Sequence, residues 1–146
     1  AKLLPKFRKS VDKFDSTVTY LHKNYTPYSN TNGIGIMAKI FDNSIHCASA
    51  FVSSDWIFHT SFTVKTGDTV RDYSGRKRHD VINGIAETVN VNSSDCEDLV
   101  KQIAEAAPNK PVMVRLLGKY RYDFNLKATH RQAIKDTWEL YQLLKN

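Results

Sequence analysis

Three side chains in this sequence have the types and spacing of a thiol-based catalytic site: Cys96, His46 and His59. A cysteine becomes a strong nucleophile when a neighbouring imidazole accepts its proton and a second polar group orients that imidazole. His46 and His59 lie thirteen residues apart on two strand-like segments, and a hairpin between these segments would place both rings on one side of a sheet. Each histidine alone is more often an ordinary strand residue, so the catalytic interpretation depends on all three side chains converging.

The segment around Cys96 has the pattern of a helix N-terminus. Ser94 is followed three residues later by Glu97, which is the capping-box pattern, and an apolar stripe at helical spacing follows. With Ser94 as the N-cap, Cys96 is the second helical residue, where free backbone N–H groups and the helix dipole favour a thiolate. The alternative is a half-buried structural cysteine.

The other cysteine, Cys47, directly follows His46, so strand alternation points its side chain to the opposite face of the strand, into the core. Two cysteines make no disulfide framework, and the Cys and His residues lack the paired short spacing of a metal site. The sequence therefore predicts a reducing compartment, no metal and no cofactor. His22, His79 and His130 lie in polar surroundings and are expected at the surface.

Alternating and helical patterns predict the elements that would position these residues. The segments "IGIMAKIF", "SIHCASAFV" and "WIFHTSF" read as three strands of an antiparallel meander, and "VINGIAETVNV", "PVMVRLL" and "KYRYDFNL" read as further strands. Helices are predicted from Ser94 onwards and over "THRQAIKDTWELYQLLKN". The first 25 residues are predicted to be basic and then weakly helical, "NYTPYSNTNG" to form turns, and "KTGDTVRDYSGRKRHD" to be a long loop with a short strand inside it.

These elements indicate one α+β domain over residues 1–146, with an antiparallel sheet packed against a few helices. No apolar run approaches the roughly twenty residues that a membrane-spanning helix needs. We therefore expect no transmembrane segment.

The formal net charge of +6 favours an anionic partner such as RNA, although ordinary surface charge is the alternative. Positive charge is concentrated near the N-terminus, in "GRKRH" and in "GKYRYDFNLK", where aromatic residues interleave with the basic ones. No RNA-recognition-motif, KH or zinc-knuckle signature is present, so binding should be mostly electrostatic and salt-dependent. The candidate RNA-binding residues are Lys6, Arg8, Lys9, Arg76, Lys77, Arg78, Lys119 and Arg121.

Two segments resemble the conserved boxes of the H-box/NC proteins. "HCASAFVSSDWIFHTSF" resembles the H-box, and "NSSDCEDLVKQI" resembles the NC box. These boxes occur in lecithin retinol acyltransferase-like acyltransferases and phospholipases, and in the non-structural 2A proteins of certain picornaviruses, including the parechovirus type. The resemblance implies a permuted papain-like (NlpC/P60) architecture, with Cys96 as the nucleophile, His46 as the general base and His59 as the third polar partner.

The sequence departs from the NC box at Asp95, where the family has Asn. A carboxylate beside the thiol opposes thiolate formation, so we expect the fold to be kept and catalysis to be lost. The leading hypothesis is a viral non-structural protein that binds RNA or host proteins during genome replication in the host cytoplasm. "GRKRH" could also act as a weak nuclear-localisation signal. The alternatives are a thiol-dependent acyltransferase, phospholipase or peptidase, and an adaptor for an acidic host protein.

Overall fold

The computed structural model describes residues 2–25, 35–53, 56–81 and 85–145. Over these residues a short 3-10 turn (Leu4–Lys6) precedes nine strands and two helices. The elements are β1 (Phe7–Val11), β2 (Val18–His22), β3 (Gly35–Phe41), β4 (Ser44–Ser53), β5 (Ser61–Thr66), β6 (Thr69–Val81), β7 (Ile85–Val91), α1 (Ser93–Ala104), β8 (Val112–Leu117), β9 (Tyr122–Asn125) and α2 (Ala128–Lys145).

The strands form one antiparallel sheet in the spatial order β1-β2-β3-β4-β7-β6-β5-β8-β9. The long strand β6 joins its two parts, because residues 75–81 pair with β7 and residues 69–74 pair with β5. We call β1, β2, β3, β4, β7 and residues 75–81 the large wing, and residues 69–74 with β5, β8 and β9 the small wing. The α+β class and the antiparallel sheet predicted from the sequence are confirmed.

Gly75 stands at the point where β6 changes its pairing partner. A Cβ atom at this position would collide with the backbone carbonyl group of Asn90 on β7. Glycine is therefore required by a close approach of two backbones, which is a common reason for glycine inside a strand.

Both helices pack on one face of the large wing, α1 against β4 and α2 against β2 and β3, and they also contact each other. Strand β4 shows how the sequence sets this arrangement. Its inward residues Ile45, Cys47, Ser49 and Phe51 are buried, while the residues between them are partly exposed. Period-two alternation therefore separates a helix-covered face from a second face, which we call the open face.

A buried polar pair fixes the N-terminal hairpin to α2. The Nε2 atom of His22 lies 2.9 Å from the Oδ2 atom of Asp136, and both side chains are buried. The backbone N–H of Asn24 donates to Nδ1 of the same ring at 3.0 Å, so Nε2 carries the ring hydrogen and donates it to the carboxylate. Gln132 donates to the other carboxylate oxygen at 2.9 Å. His22 is thus a core residue, and its predicted place at the surface is wrong.

Three predictions of local structure are also wrong. Residues predicted to be weakly helical form the β1–β2 hairpin, and the predicted polar loop forms the thirteen-residue strand β6. The predicted meander stops after β4, because β7 and not β5 pairs with β4, and residues 56–60 precede the strand that was expected there. Most of the predicted turn "NYTPYSNTNG" lies outside the described residues, and the permuted papain-like architecture stays a prediction.

Candidate functional site

The helix carrying Cys96 begins two residues earlier than its capping pattern predicts. Asn92 is the N-cap, without a side-chain capping bond, and its carbonyl oxygen accepts the N–H of Asp95 at 2.8 Å. Ser94 is therefore inside the first turn and Cys96 is the fourth helical residue. The free N–H groups of a helix end at the third helical residue, so the expected stabilisation of a thiolate by unpaired backbone donors is lost.

The Cys96 thiol is buried against the other cysteine of the chain. Cys96 is 1% exposed, and its Sγ donates to the carbonyl oxygen of Val91 at 3.5 Å. A hydrogen bond from the Cys47 side chain lowers the pKa of Cys96, and the same bond, together with burial, raises the pKa of Cys47. Both cysteines are free thiols. The predicted core position of Cys47 agrees with this arrangement.

His46 lies on the open face, away from both cysteines. Strand alternation turns its ring to the side opposite Cys47, where the ring meets Phe41 edge-on with 5.7 Å between centroids. Burial, followed by the charge of Lys39, lowers the pKa of His46. The thiol of Cys96 is hydrogen-bonded to Cys47 on the helix-covered face, whereas His46 is on the open face. The backbone of β4 therefore lies between Cys96 and His46. The expected approach of His46 to Cys96 is therefore absent from the described geometry.

His59 uses both ring nitrogens for other partners. Its Nε2 lies 2.6 Å from the Oγ of Ser49, and its Nδ1 lies 3.3 Å from the carbonyl oxygen of Leu117. The carbonyl can only accept a hydrogen bond, so Nδ1 carries the hydrogen and Nε2 accepts from the serine hydroxyl. Burial lowers the pKa of His59 and favours this neutral ring. Neither ring nitrogen is therefore available to accept a proton from Cys96.

Ser49 and His59 have the contact of a serine activated by a base, a pair that the sequence analysis missed. Ser49 is 0% exposed and His59 is 4% exposed, so a substrate cannot reach the hydroxyl in this arrangement. The pair instead connects β4 to residues 56–60. Its only signal in the sequence is a small polar residue at an inward position of an apolar strand.

Glu87, also missed by the sequence analysis, supports the same segment. Its buried carboxylate accepts the backbone N–H of Ile57 at 2.9 Å and that of His59 at 2.8 Å. Glu87 lies at an inward position of β7, in register with Phe51 of β4. A glutamate at an inward position of an alternating strand is the sequence signal that could have identified it.

The candidate RNA-binding residues are all exposed, and they fall on separate surfaces. Arg8, Arg76 and Arg78 lie on the open face, whereas strand alternation places Lys77 on the opposite side of β6. Arg76, Lys77 and Arg78 therefore belong to a strand and not to the loop that was predicted.

The remaining candidates lie near the two ends of the sheet. Lys6 forms an ion pair with Asp136 at 3.7 Å, and the Lys9 ammonium lies 5.9 Å from the centre of the Tyr20 ring. Lys119 and Arg121 are in the connection between β8 and β9. These residues are thus distributed over more than one surface.

Within the described part of the chain, no group of three or more His, Cys, Asp or Glu side chains is arranged to hold a metal ion. No helix among these described residues has the length and apolarity needed to cross a bilayer.

Comparison with known proteins leaves the family of the chain open. No family model matches the sequence, no curated protein matches it, and no solved structure matches its fold.

Proposed function

We propose that the chain is an RNA-binding protein whose open face contacts the phosphate backbone. We further propose that it is a viral non-structural protein of the H-box/NC type, acting in genome replication in the host cytoplasm with RNA and host proteins as partners. The resemblance of the two sequence boxes supports the viral assignment. The observation that carries the RNA proposal is the charge of the open face.

Three cationic side chains, Arg8, Lys39 and Arg76, lie in a row across the open face. Arg8 pairs with Leu21, Leu21 pairs with Lys39, and Lys39 pairs with His46, so these four residues are in register on neighbouring strands. Arg76 lies farther along the same face, on β6. With neighbouring strands about 4.8 Å apart, the five steps from β1 to β6 span roughly 24 Å, which is enough for several phosphates.

A cavity of about 400 Å³ opens in the middle of this row. Lys39, His46, Arg76 and Asn90 line it together with apolar side chains, so two permanent positive charges and two further polar side chains border a partly apolar cavity. No described helix covers the open face, and its described side chains are partly or fully exposed. A second cavity, of about 560 Å³ beside α1, mixes acidic and basic side chains and does not favour an anion in the same way.

The charge along the row suits an anion more than a neutral ligand. The four strands β1, β2, β3 and β4 contain no acidic residue. Lysine and arginine on such a surface bind phosphates largely without sequence preference. We therefore expect the open face to supply affinity for RNA, and other contacts to supply sequence specificity.

Thiol catalysis is not part of the proposal, because Cys96 faces Cys47 in the core and His46 lies across the sheet from it. The alternative, a thiol-dependent hydrolase, would require Cys96 and His46 to lie on the same face of the sheet.

The proposal can be tested by the affinity of a short RNA at low salt, measured by fluorescence anisotropy. Replacing Lys39 and Arg76 by Gln should weaken binding several-fold, because two phosphate contacts are removed. A control variant with Lys65→Gln and Lys135→Gln removes the same charge from exposed positions elsewhere. Equal affinities of the two variants would contradict the role of the open face, and no binding by the wild-type protein would contradict RNA binding itself.

A further inference from the structure

Residues 56–60, between β4 and β5, alternate between buried and exposed side chains without being a strand. Ile57 and His59 point into the protein, whereas Phe58 is 48% exposed. Phe58 also has a φ of 57°, in the left-handed region that a bulky residue rarely adopts. Strain of this kind persists only where the surroundings hold the backbone in place, and it is concentrated at binding sites and active sites.

The surroundings hold this segment from two sides. The Glu87 carboxylate fixes the backbone N–H groups on either side of Phe58, and the Ser49–His59 bond ties the end of the segment to β4. On the other side, the N–H of Tyr120 donates to the carbonyl oxygen of Ile57 at 3.2 Å. The buried Ser49–His59–Glu87 group therefore displays Phe58 in a fixed position.

Gly118 completes this support. A Cβ atom at this position would collide with the carbonyl oxygens of Ile57 and Phe58, so the β8–β9 connection approaches the segment backbone to backbone. This close approach brings the next aromatic residue of the connection beside Phe58.

Three rings form a surface that we call the aromatic ledge: Trp56, Phe58 and Tyr120. Trp56 is stacked on Phe58, with 6.0 Å between ring centroids and 19° between the planes, and Phe58 lies 6.4 Å from Tyr120. The ammonium of Lys119 lies 5.7 Å from the Phe58 ring and 5.6 Å from the Tyr120 ring. The rings of His79, from β6, and Trp56 meet edge to face, with 5.3 Å between their centroids.

We propose that the aromatic ledge stacks unpaired bases of single-stranded RNA. This inference rests on the proposed RNA-binding function and adds to it a preference for single strands. Base stacking on aromatic side chains next to cations that contact phosphates is the way in which single-stranded nucleic acid is bound without sequence preference. A duplex keeps its bases stacked on each other and offers few of them to the ledge.

The positions of the cations favour RNA over a lipid surface. Lys119 lies within 6 Å of two of the rings, so positive charge and ring faces are presented at one place. Lys77 lies two residues before His79, on the same side of β6. A nucleotide offers a base that can stack on a ring and a phosphate that can contact a cation.

The experiment compares a short oligouridine with a blunt-ended duplex of the same length, using the full chain. Tyr120→Ala and Phe58→Ala should each weaken oligouridine binding about ten-fold and leave duplex binding unchanged. Tyr120→Phe should bind like the wild type, because it keeps the ring. Phe14→Ala is the matched control, since Phe14 is 99% exposed in the β1–β2 turn.

A second readout does not depend on affinity. The chain has two tryptophans, so Trp138→Phe leaves Trp56 as the only one, and oligouridine should then quench its fluorescence while the duplex should not. If Phe58→Ala fails to fold, Tyr120→Ala and the quenching decide the question. The slope of affinity against salt should be unchanged in Tyr120→Ala, because no phosphate contact is removed.

The failures of the two proposals are distinguishable. Wild-type binding to RNA with no effect of the ring variants and no quenching would overturn the ledge and leave the open-face proposal intact. An absence of wild-type binding at low salt would overturn both. If Tyr120→Ala weakened binding to vesicles of phosphatidylcholine and phosphatidylserine but not to RNA, the ledge would be a lipid-binding surface and the inference would be wrong.

Discussion

Replacing Glu87 by Gln tests whether its carboxylate holds residues 56–60 in place. Each carboxylate oxygen accepts one backbone N–H, from Ile57 and from His59. Glutamine has the same shape but one oxygen, so one N–H keeps a neutral partner and the other faces an NH₂ group. Glu87→Gln therefore exchanges two bonds to a charged acceptor for one neutral bond and one buried, unpaired donor.

The size of the effect follows from these two bonds. A hydrogen bond to a charged group contributes about 1.5–3 kcal/mol and a neutral one about 1 kcal/mol. The variant no longer buries a charge, which offsets part of the loss. We expect the free energy of unfolding to fall by about 2–3 kcal/mol. With an m-value of about 1–3 kcal/mol/M, the urea midpoint should fall by roughly 1–2 M.

Urea unfolding followed by circular dichroism measures this change, and Glu139→Gln, at an exposed position on α2, is the control. Amide hydrogen exchange at Ile57 and His59 should also accelerate in Glu87→Gln, because local opening becomes easier. If both glutamine variants had the same midpoint and the same exchange at these two amides, the carboxylate would not be supporting the segment.

Three further predictions concern the core. Cys47 and Cys96 should both react slowly with iodoacetamide in the folded protein, because both are buried and the reagent cannot reach them until the core opens. Fast, selective labelling of Cys96 would indicate an activated thiol. Burial lowers the pKa of His59 and of His130, so each ring takes up a proton at a lower pH in the folded state than in the unfolded chain, where the ordinary pKa is 6.5. The free energy of unfolding should therefore be nearly constant between about pH 7 and 8 and fall towards pH 5.5, by at most about 1.4 kcal/mol per pH unit for each histidine, and a flat profile in urea titrations would contradict this. Gly75→Ala should destabilise the protein by about 1–3 kcal/mol, because the added methyl collides with the carbonyl group of Asn90; an unchanged melting temperature would show that β6 can shift without cost.

The elements that the sequence predicts well are those with a strong periodic pattern. Strands β3 and β4 and both helices lie close to their expected places, because each has one buried face and one exposed face. Strand β6 shows no such pattern. Its second half pairs with β7 only and carries exposed cations on both sides, so its strand conformation comes from tertiary pairing and not from local preference.

The candidate site depends on information that spacing does not contain. Cys96 and His46 were expected to converge, but β4 directs Cys47 towards α1 and thereby turns His46 away. The Ser49–His59 contact joins residues ten apart through a non-strand segment, and Glu87 reaches that segment only because β7, not β5, pairs with β4. The order and register of strand pairing determine both the separation of Cys96 from His46 and the contacts of residues 56–60. Residue types alone do not reveal that order or register.

The dependence of RNA affinity on salt tests the role of the open face most directly. Replacing Arg8, Lys39 and Arg76 together by Gln removes three cations from the row across that face. For a single strand, log affinity against log salt concentration should then become shallower by about 2, since each lost phosphate contact contributes about 0.7.

A control variant with Gln at three other exposed lysines loses the same charge and should keep the wild-type slope. Its substitutions are Lys13→Gln, Lys65→Gln and Lys135→Gln. Equal slopes in the two variants would show that the open face does not bind the phosphate backbone.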